Sequence, residues 1–459
     1  MAIALHPLGI STDPQQVIVG RDGWLYLGDS YESTRTVDRR SASEADIALG
    51  REIGHAVEAW DLYLATQGVK LFRVMIGPNK GSIYPEHLPN WAKPASPNAT
   101  DALLAGTGNS KYIDLRKPLL KAKKEQQADL YYKTDTHWNH LGAAVAFQEF
   151  AQQSKSDAPE IKWLEPKDYA VIGINPRIGG DLANFLRLSD YFSDQDPIIS
   201  ALQLPIKTIH TDFDTKQVLY QGGNPSIGAP QKPLLVQSID ALNKKKVLWL
   251  RDSFGVAMSP LMAVIFSDVL QIHWGEAIKP GGRLIQLVEE WKPDYVFFTV
   301  VERGARNKWF TASPPAIVFP KEDSFKPQRE VRLLKFNDIS EVDYKNQFKI
   351  NGEDPFFDFS ISDNIKPSET RYLNIDFTCN DRSESIPVQI FWLESGISNF
   401  DEDHSQKIIL KTGNNLIDLK TLVKLSKAES ISRIRFDIDA KNSCAIFQMK
   451  APIFGINSR

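Results

Sequence analysis

The chain has 459 residues, 42% of them hydrophobic and 24% charged, a composition that suits a folded protein of two or three domains with a large core. Its 54 basic and 57 acidic side chains leave a formal charge of −3, which argues against a general nucleic-acid binder, because neutralising phosphates demands a basic excess. No apolar run approaches the ~20 residues of a membrane span.

The first residues, MAIALHPLGISTDPQQ, lack a basic start followed by a sustained apolar stretch, so no signal peptide is read there. VIVGRDGWLYLGD alternates apolar and polar residues about Asp22–Gly23 and predicts a hairpin. From Ala45 to Gln67 apolar residues recur at helical spacing (Ile53, Val57, Trp60, Leu64) up to Gly68, a suitable stop. VKLFRVMIG then reads as a buried strand ended by Pro78. Further on, KKKVLWLRDSF runs from a charged edge into an apolar strand, reaches Ser253 and Gly255, and enters VAMSPLMAVIF, a predicted helix with Pro260 near its start. DVLQIHW, a helix near Arg283 to Trp291, and PDYVFFTVVERG complete the pattern. Near-continuous apolar strands alternating with helices predict a parallel sheet covered on both faces.

The pattern changes after about residue 335. Short alternating runs (FKING, FFDFSIS, YLNIDFTC, VQIFWLE, KIILKT, NLIDL, ISRIRFDI, AIFQMK) separated by Asn, Asp, Gly and Ser predict an antiparallel β-sandwich, with KEDSFKPQREVR as linker. The expected organisation is therefore an α/β domain over residues 1–335 and a β-sandwich over 340–459. Cys379 and Cys444 both fall in the second part. They pair in an oxidising compartment or stay as two buried thiols, and the thiols are the preferred reading.

Two short motifs carry chemistry. In TDTHWN, Asp135 and His137 stand two residues apart just before a predicted helix, HLGAAVAFQEFAQQ, which Asn139 is suited to cap. In LRDSF, Ser253 follows a strand and precedes a predicted helix, whose free N–H groups would stabilise an oxyanion. A serine hydroxyl needs a base, His137 supplies one, and Asp135 would fix its tautomer. Each motif has a plainer reading: alone, the Asp–x–His pair is a helix-entry hydrogen bond and Asp252–Ser253 a helix cap. A metal site ranks below the triad, since there is no Cys nearby and His140 falls in the first turn of the helix. No cofactor is expected. The GDS at Gly28–Ser30 follows a short hairpin rather than a buried strand, so Ser30 is rejected as nucleophile.

With these residues assembled, the chain resembles the SGNH-hydrolase-like polysaccharide O-acetyltransferases of the alginate acetylation group, the AlgX/AlgJ-like proteins. The resemblance rests on six blocks in order: VIVGRDGWLYL, PNKGSIYPEHLP, YYKTDTHWN, GGDLANFL, LRDSF and VVERG. It implies a circularly permuted SGNH-like domain, with Asp135 and His137 ahead of the nucleophile Ser253, followed by a β-rich module resembling carbohydrate-binding domains. Where such folds usually supply an oxyanion-hole Asn, this sequence has Glu302–Arg303, which leaves the Ser253 N–H as the donor to expect. Arg303, Arg251, Lys80 and Tyr132 are candidates for substrate or oxyanion contact, with ion pairing or core packing as the plainer reading of each. Trp138 could likewise line a sugar site or pack in the core. Phe391 and Trp392 adjoin on one strand, so at most one of them can lie in a binding platform.

The resemblance further implies transfer of an acetyl group to a polysaccharide acceptor, from a donor supplied through a membrane O-acyltransferase partner, in the periplasm or elsewhere outside the cytoplasm. The absence of a readable signal peptide leaves a cytoplasmic location open. Two rivals stand: a glycan acetylesterase using the same three residues, and a non-catalytic polysaccharide-binding or assembly protein.

Overall fold

In a computed structural model, the run VIVGRDGWLYLGD closes on itself as the pattern predicts. Strand β1 (Val17–Val19) pairs antiparallel with β2 (Leu25–Leu27), and Asp22 and Gly23 turn the chain at φ of 56° and 80°. The structure describes all residues except 1, 109–110, 316–317, 320–324, 344–345, 380–384, 423, 439–443 and 458–459. Two units emerge, one of residues 1–57 and 64–312, the other of residues 58–63 and 313–459.

A helix spans Glu44–Thr66, and Gly68 ends the turn after it at a left-handed φ of 87°. Strand β3 (Leu71–Gly77) follows, with every residue buried. The later strands of the first unit are β4 (Tyr112–Asp114), β5 (Val171–Ile178), β6 (Ser193–Ile199), β7 (Thr208–Asp212), β8 (Val218–Gly222), β9 (Leu234–Ser238), β10 (Asn243–Arg251), β11 (Phe266–Ile272) and β12 (Tyr295–Val301). Eight of the strands form one sheet in the order β4-β3-β12-β10-β11-β9-β7-β8. Neighbours from β4 to β11 run parallel. The β11–β9, β9–β7 and β7–β8 pairs run antiparallel.

The sheet is therefore mixed, which corrects the expectation of a purely parallel one. The parallel strands betray themselves as continuous apolar runs because helices cover both their faces. The antiparallel edge is short and partly solvated, with Val218, Leu219 and Tyr220 of β8 exposed, so its strands lack that signature. Strands β5 and β6 form a separate hairpin.

Phe147 and Phe150, from the helix His140–Ser154, pack with Trp163, Trp249, Phe266 and Phe297 in the core of this unit. Three chain segments leave the carboxyl ends of adjacent parallel strands: Pro78–Asn79 after β3, Asp252–Ser253 after β10, and Glu302–Arg303 after β12. In open α/β sheets this is the edge where ligands bind.

In the second unit every strand pair among the described residues is antiparallel. Phe357, Ile375, Trp392, Phe436 and Phe447 share its core. The stretch KEDSFKPQREVR, read above as a linker, is strand from Phe325 onward, within Phe325–Asn337; residues 321–324 lie outside the described set. Its strand character was hidden because only Phe325 and Val331 of that strand are buried. Trp392 is 1% exposed and sits in the core, while Phe391 faces the other way, against Phe400. Cys379 and Cys444 are joined as a disulfide, with Cα atoms 5.7 Å apart, which corrects the preference for two free thiols.

Candidate active site

The turn after β10 is shaped by Asp252. One of its carboxylate oxygens accepts the Phe254 N–H at 2.9 Å. The other accepts the Val301 N–H at 2.7 Å and the Trp274 indole N–H at 3.2 Å. These bonds fasten the segment to β12 and wind Ser253–Gly255 into a single 3-10 turn. The α-helix expected to follow directly, over VAMSPLMAVIF, begins only at Ser259, with Pro260 in its first turn. Ser253 thus has no helix N-terminus behind it, contrary to expectation, because the Asp252 side chain has already captured the amide a helix would have left free. Among the described residues nothing accepts from the Ser253 N–H itself, which leaves that donor for an incoming oxygen.

The segment bearing His137 has no regular secondary structure and is held from several sides. Asp194 on β6 accepts from the Lys133 N–H at 2.8 Å and the Thr134 hydroxyl at 2.5 Å. From below, Lys80 donates to the carbonyl oxygens of Tyr132, Lys133 and Asp135 at 3.0, 2.8 and 2.7 Å. Asn139 caps the following helix, its side-chain oxygen accepting from the Leu141 and Gly142 N–H groups at 3.0 Å each. This is the cap the sequence predicts.

His137 then bridges the two motifs. Its Nδ1 lies 2.7 Å from Asp135 Oδ1, and its Nε2 lies 2.7 Å from Ser253 Oγ. With Nδ1–H donating to the carboxylate, Nε2 presents a lone pair to the serine hydroxyl. Burial works to raise the Asp135 carboxyl pKa. The hydrogen bond and charge of His137, with the Arg177 guanidinium 3.1 Å from Oδ2, outweigh it and hold the group well below the usual carboxylate range. Asp135 is therefore an anion across the neutral range.

Asp181 completes this cluster. Its carboxylate accepts the Thr136 N–H at 2.7 Å and the Thr136 hydroxyl, and one oxygen lies 3.7 Å from His137 Nδ1. Among the described residues, Asp135, His137 and Asp181 are the group whose arrangement could hold a metal ion, their ligand atoms lying within 4.8 Å of one another. Those atoms are already bonded to each other, to Thr136 and to the cationic Arg177, so a metal would have to displace these partners.

The other predicted residues divide. Tyr132 lies at the site: its hydroxyl donates to Asp196 at 2.7 Å, and Arg177 stacks 4.1 Å above its ring. Arg303 is half-buried, donates to Asn79 Oδ1 at 3.2 Å and sits 5.9 Å from the Phe254 ring. Lys80 and Arg251 do not line the cavity that holds His137 and Ser253. Lys80 is spent on the three carbonyls below His137. Arg251, fully buried, donates to Gln271 at 2.7 Å and to the Ile227 and Gly228 carbonyls at 2.8 and 3.0 Å. Glu302, the residue found where an oxyanion-hole Asn was sought, is also buried and accepts from the Asn79 N–H and the Ser82 hydroxyl at 2.8 and 2.7 Å.

Sequence reasoning missed Arg177, Gly180 and Asp181. The one sequence signal for Gly180 and Asp181 is the block GGDLANFL, whose residue types alone name no role. Gly180 lies so close to the Asp135 carboxylate that an added Cβ would stand 2.3 Å from Asp135 Cβ.

His137, Ser253, Tyr132, Arg177, His140 and Ser226 line a cavity of about 230 Å³. Among the described residues no helix is long and apolar enough to cross a membrane.

The family described as "SGNH hydrolase-like domain, acetyltransferase AlgX" matches residues 17–220. That range includes Asp135, His137 and Asp181 but stops short of Ser253. A curated relative, "Probable alginate O-acetylase AlgJ" of Pseudomonas syringae pv. tomato, is 33% identical over 193 residues, 41% of this chain and 45% of that protein. The chain thus matches less than half the length of that relative. Among solved structures, Bacillus cereus PatB1 is similar over 64% of this chain and 98% of its own, with 16% identity and a TM-score of 0.48. The O-acetyltransferase domain of Pseudomonas putida AlgJ covers 63% and 92% respectively, with 21% identity and a TM-score of 0.40. Over residues 17–220 the chain is thus similar to the SGNH-hydrolase-like AlgX/AlgJ family.

Proposed function

We propose that the protein is an O-acetyltransferase that carries an acetyl group on Ser253 and passes it to a hydroxyl of a polysaccharide. The observation that supports this reading best is His137, in hydrogen-bond contact with Ser253 Oγ on one side and Asp135 on the other, at the wall of an open cavity.

In the first half-reaction His137 Nε2 takes the hydroxyl proton as Oγ attacks the acyl carbon of the donor. The carbonyl oxygen becomes an oxyanion facing the Ser253 N–H. Collapse expels the donor's leaving group, which takes the proton back from His137, and acetyl-serine remains. In the second half an acceptor hydroxyl gives its proton to His137 and attacks the acetyl carbon. Ser253 Oγ then leaves and is reprotonated. Asp135 stabilises the imidazolium in both halves. Transfer must outrun hydrolysis by ~55 M water, and a positioned acceptor can do so because effective molarities reach 10⁵ M or more.

The finer architecture belongs to the same reading. The Asp–His pair precedes the serine in the chain, which we assign as a circular permutation of the SGNH order. The antiparallel unit we assign as a carbohydrate-binding-module-like sandwich. The Cys379–Cys444 disulfide supports an oxidising, extracytoplasmic location, where a membrane O-acyltransferase partner would supply the acetyl group.

The experiment is release of nitrophenol from para-nitrophenyl acetate by the intact protein, by Ser253→Ala and by His137→Ala, without and with oligosaccharides. Release that both substitutions abolish, together with acetylated oligosaccharide, supports the transferase. Release with no sugar product assigns an acetylesterase. Equal rates in all three proteins reject Ser253 as nucleophile.

A further inference from the structure

The cavity has a second imidazole that the mechanism above does not use. His140 Nδ1 lies 2.8 Å from Asp196 Oδ1, and its Nε2 lies 3.1 Å from Ser226 Oγ. The Tyr132 hydroxyl donates to the same Asp196 oxygen at 2.7 Å, so the carboxylate is held by two donors and its orientation is fixed. Burial works to raise the Asp196 carboxyl pKa, but His140 and Tyr132 hold it below its ordinary value. As at His137, a carboxylate on Nδ1 makes Nε2 the acceptor nitrogen. His140 and Ser226 line the same cavity as His137 and Ser253.

Ser226 is a poor candidate for a second nucleophile. It is exposed and follows Pro225 in the irregular segment between β8 and β9. The amide after it is already spent, the Ile227 N–H donating to Ser259 Oγ at 2.9 Å, and no clamp like that of Asp252 shapes its turn. Its hydroxyl is better read as the group that satisfies Nε2 until another hydroxyl replaces it.

We infer that His140 Nε2 accepts a hydroxyl of the acceptor sugar other than the one being acetylated, so that the cavity selects polyhydroxylated acceptors over water and simple alcohols. This rests on the transferase reading of Ser253 and His137. Two imidazoles on one cavity then divide the work: His137 takes the proton of the reacting hydroxyl, and His140 holds a neighbouring one. No bond is made or broken at His140, which makes it a specificity residue.

The test uses the full chain with para-nitrophenyl acetate as donor and a panel of methyl hexopyranosides competing with n-propanol at equal concentration, the acetylated products being separated and counted. At least one hexopyranoside should outcompete n-propanol by about tenfold or more. His140→Phe should lower that ratio by about three- to tenfold, the factor for one neutral hydrogen bond. Asp196→Asn, which removes the charge fixing the tautomer, should lower it too. Ser226→Ala should not lower it, because its hydroxyl competes for the same nitrogen. The Ser253-dependent burst of nitrophenol in each variant checks that the protein is folded.

No preference for any hexopyranoside in the unsubstituted protein overturns the inference. So does a preference that survives in both His140→Phe and Asp196→Asn, or one that is lost in Ser226→Ala. Release of nitrophenol that ignores Ser253→Ala removes the transferase reading and this inference together. Release that depends on Ser253 with a ratio unmoved by both His140→Phe and Asp196→Asn removes this inference alone.

Discussion

The indole N–H of Trp138 donates to the carbonyl oxygen of Phe254 at 2.9 Å and so ties the residue after His137 to the residue after Ser253. The two motifs stand 116 residues apart, and this bond is a direct splint between them. The Trp138 ring also packs edge-on against Phe254, with centroids 4.9 Å apart.

Trp138→Phe keeps the ring packing but removes the donor. The loss of one buried hydrogen bond should cost about 1–3 kcal/mol of stability, since the Phe254 carbonyl is left unpaired. The larger effect should be on rate. An ångström of slack between base and nucleophile costs about 10²-fold, so kcat for nitrophenyl ester cleavage should fall by about that factor with little change in KM. Steady-state kinetics and thermal unfolding of the variant measure both.

Gly180→Ala tests the packing behind Asp135. Gly180 has an ordinary φ of −80°, so the substitution strains no backbone; its cost is steric. The new Cβ would meet Asp135 Cβ at 2.3 Å and Oδ2 at 2.4 Å, and the carboxylate must move away from His137. Overpacking of this kind costs about 1–3 kcal/mol. Activity should drop by about 10²-fold or more, while Gly179→Ala, whose Cβ meets Ala183 and Phe192 rather than the triad, should show the destabilisation with a smaller loss of rate.

These two contacts mark the limit of what could be read in the sequence. Asp135, His137 and Ser253 stand out because reactive residue types sit beside a cap residue or at the end of an apolar strand. Lys80, Arg177 and Gly180 act across 42 to 55 residues, through backbone carbonyls or bare proximity, and a single sequence gives such contacts no pattern. The fold divides in the same way. Strands β3, β10 and β12 announce themselves by continuous apolar runs, whereas β7, β8 and β9 are short and half-solvated. The pairing of Cys379 with Cys444 depends on strand register, which spacing along the chain does not reveal.

Lys80 predicts a pH effect. Burial lowers its pKa to about 8, against the pull of Asp135, Asp181 and Asp194. Above that pH a neutral amine has two hydrogens for three carbonyls, and the Asp135 segment loses a support. Activity should therefore decline with an apparent pKa near 8. Unfolding should not explain the decline. Between about 8 and the ordinary lysine value the unfolded chain holds the proton and the folded chain does not, so this group's contribution to stability rises with pH. Lys80→Met should remove this limb of the profile and lower stability by about 2–4 kcal/mol, as carbonyls lose their donor.

The disulfide should matter to stability and not to chemistry. It closes a loop with a sequence separation of 65, for which the chain-entropy account gives about 4 kcal/mol and typical measured values run at about 2–4 kcal/mol. Cys379→Ser with Cys444→Ser should lower the unfolding temperature of the antiparallel unit, followed by calorimetry with and without reductant. Cleavage of the nitrophenyl ester should persist at temperatures where that unit stays folded.

The central claim is that Ser253 carries the acetyl group. The most direct measurement is rapid quenching of the protein with para-nitrophenyl acetate, followed by intact-mass analysis and peptide mapping. The account predicts one added acetyl group, located on Ser253, formed together with a burst of nitrophenol and absent from Ser253→Ala and His137→Ala. A burst without label on Ser253, or the same label in Ser253→Ala on another residue, would contradict it.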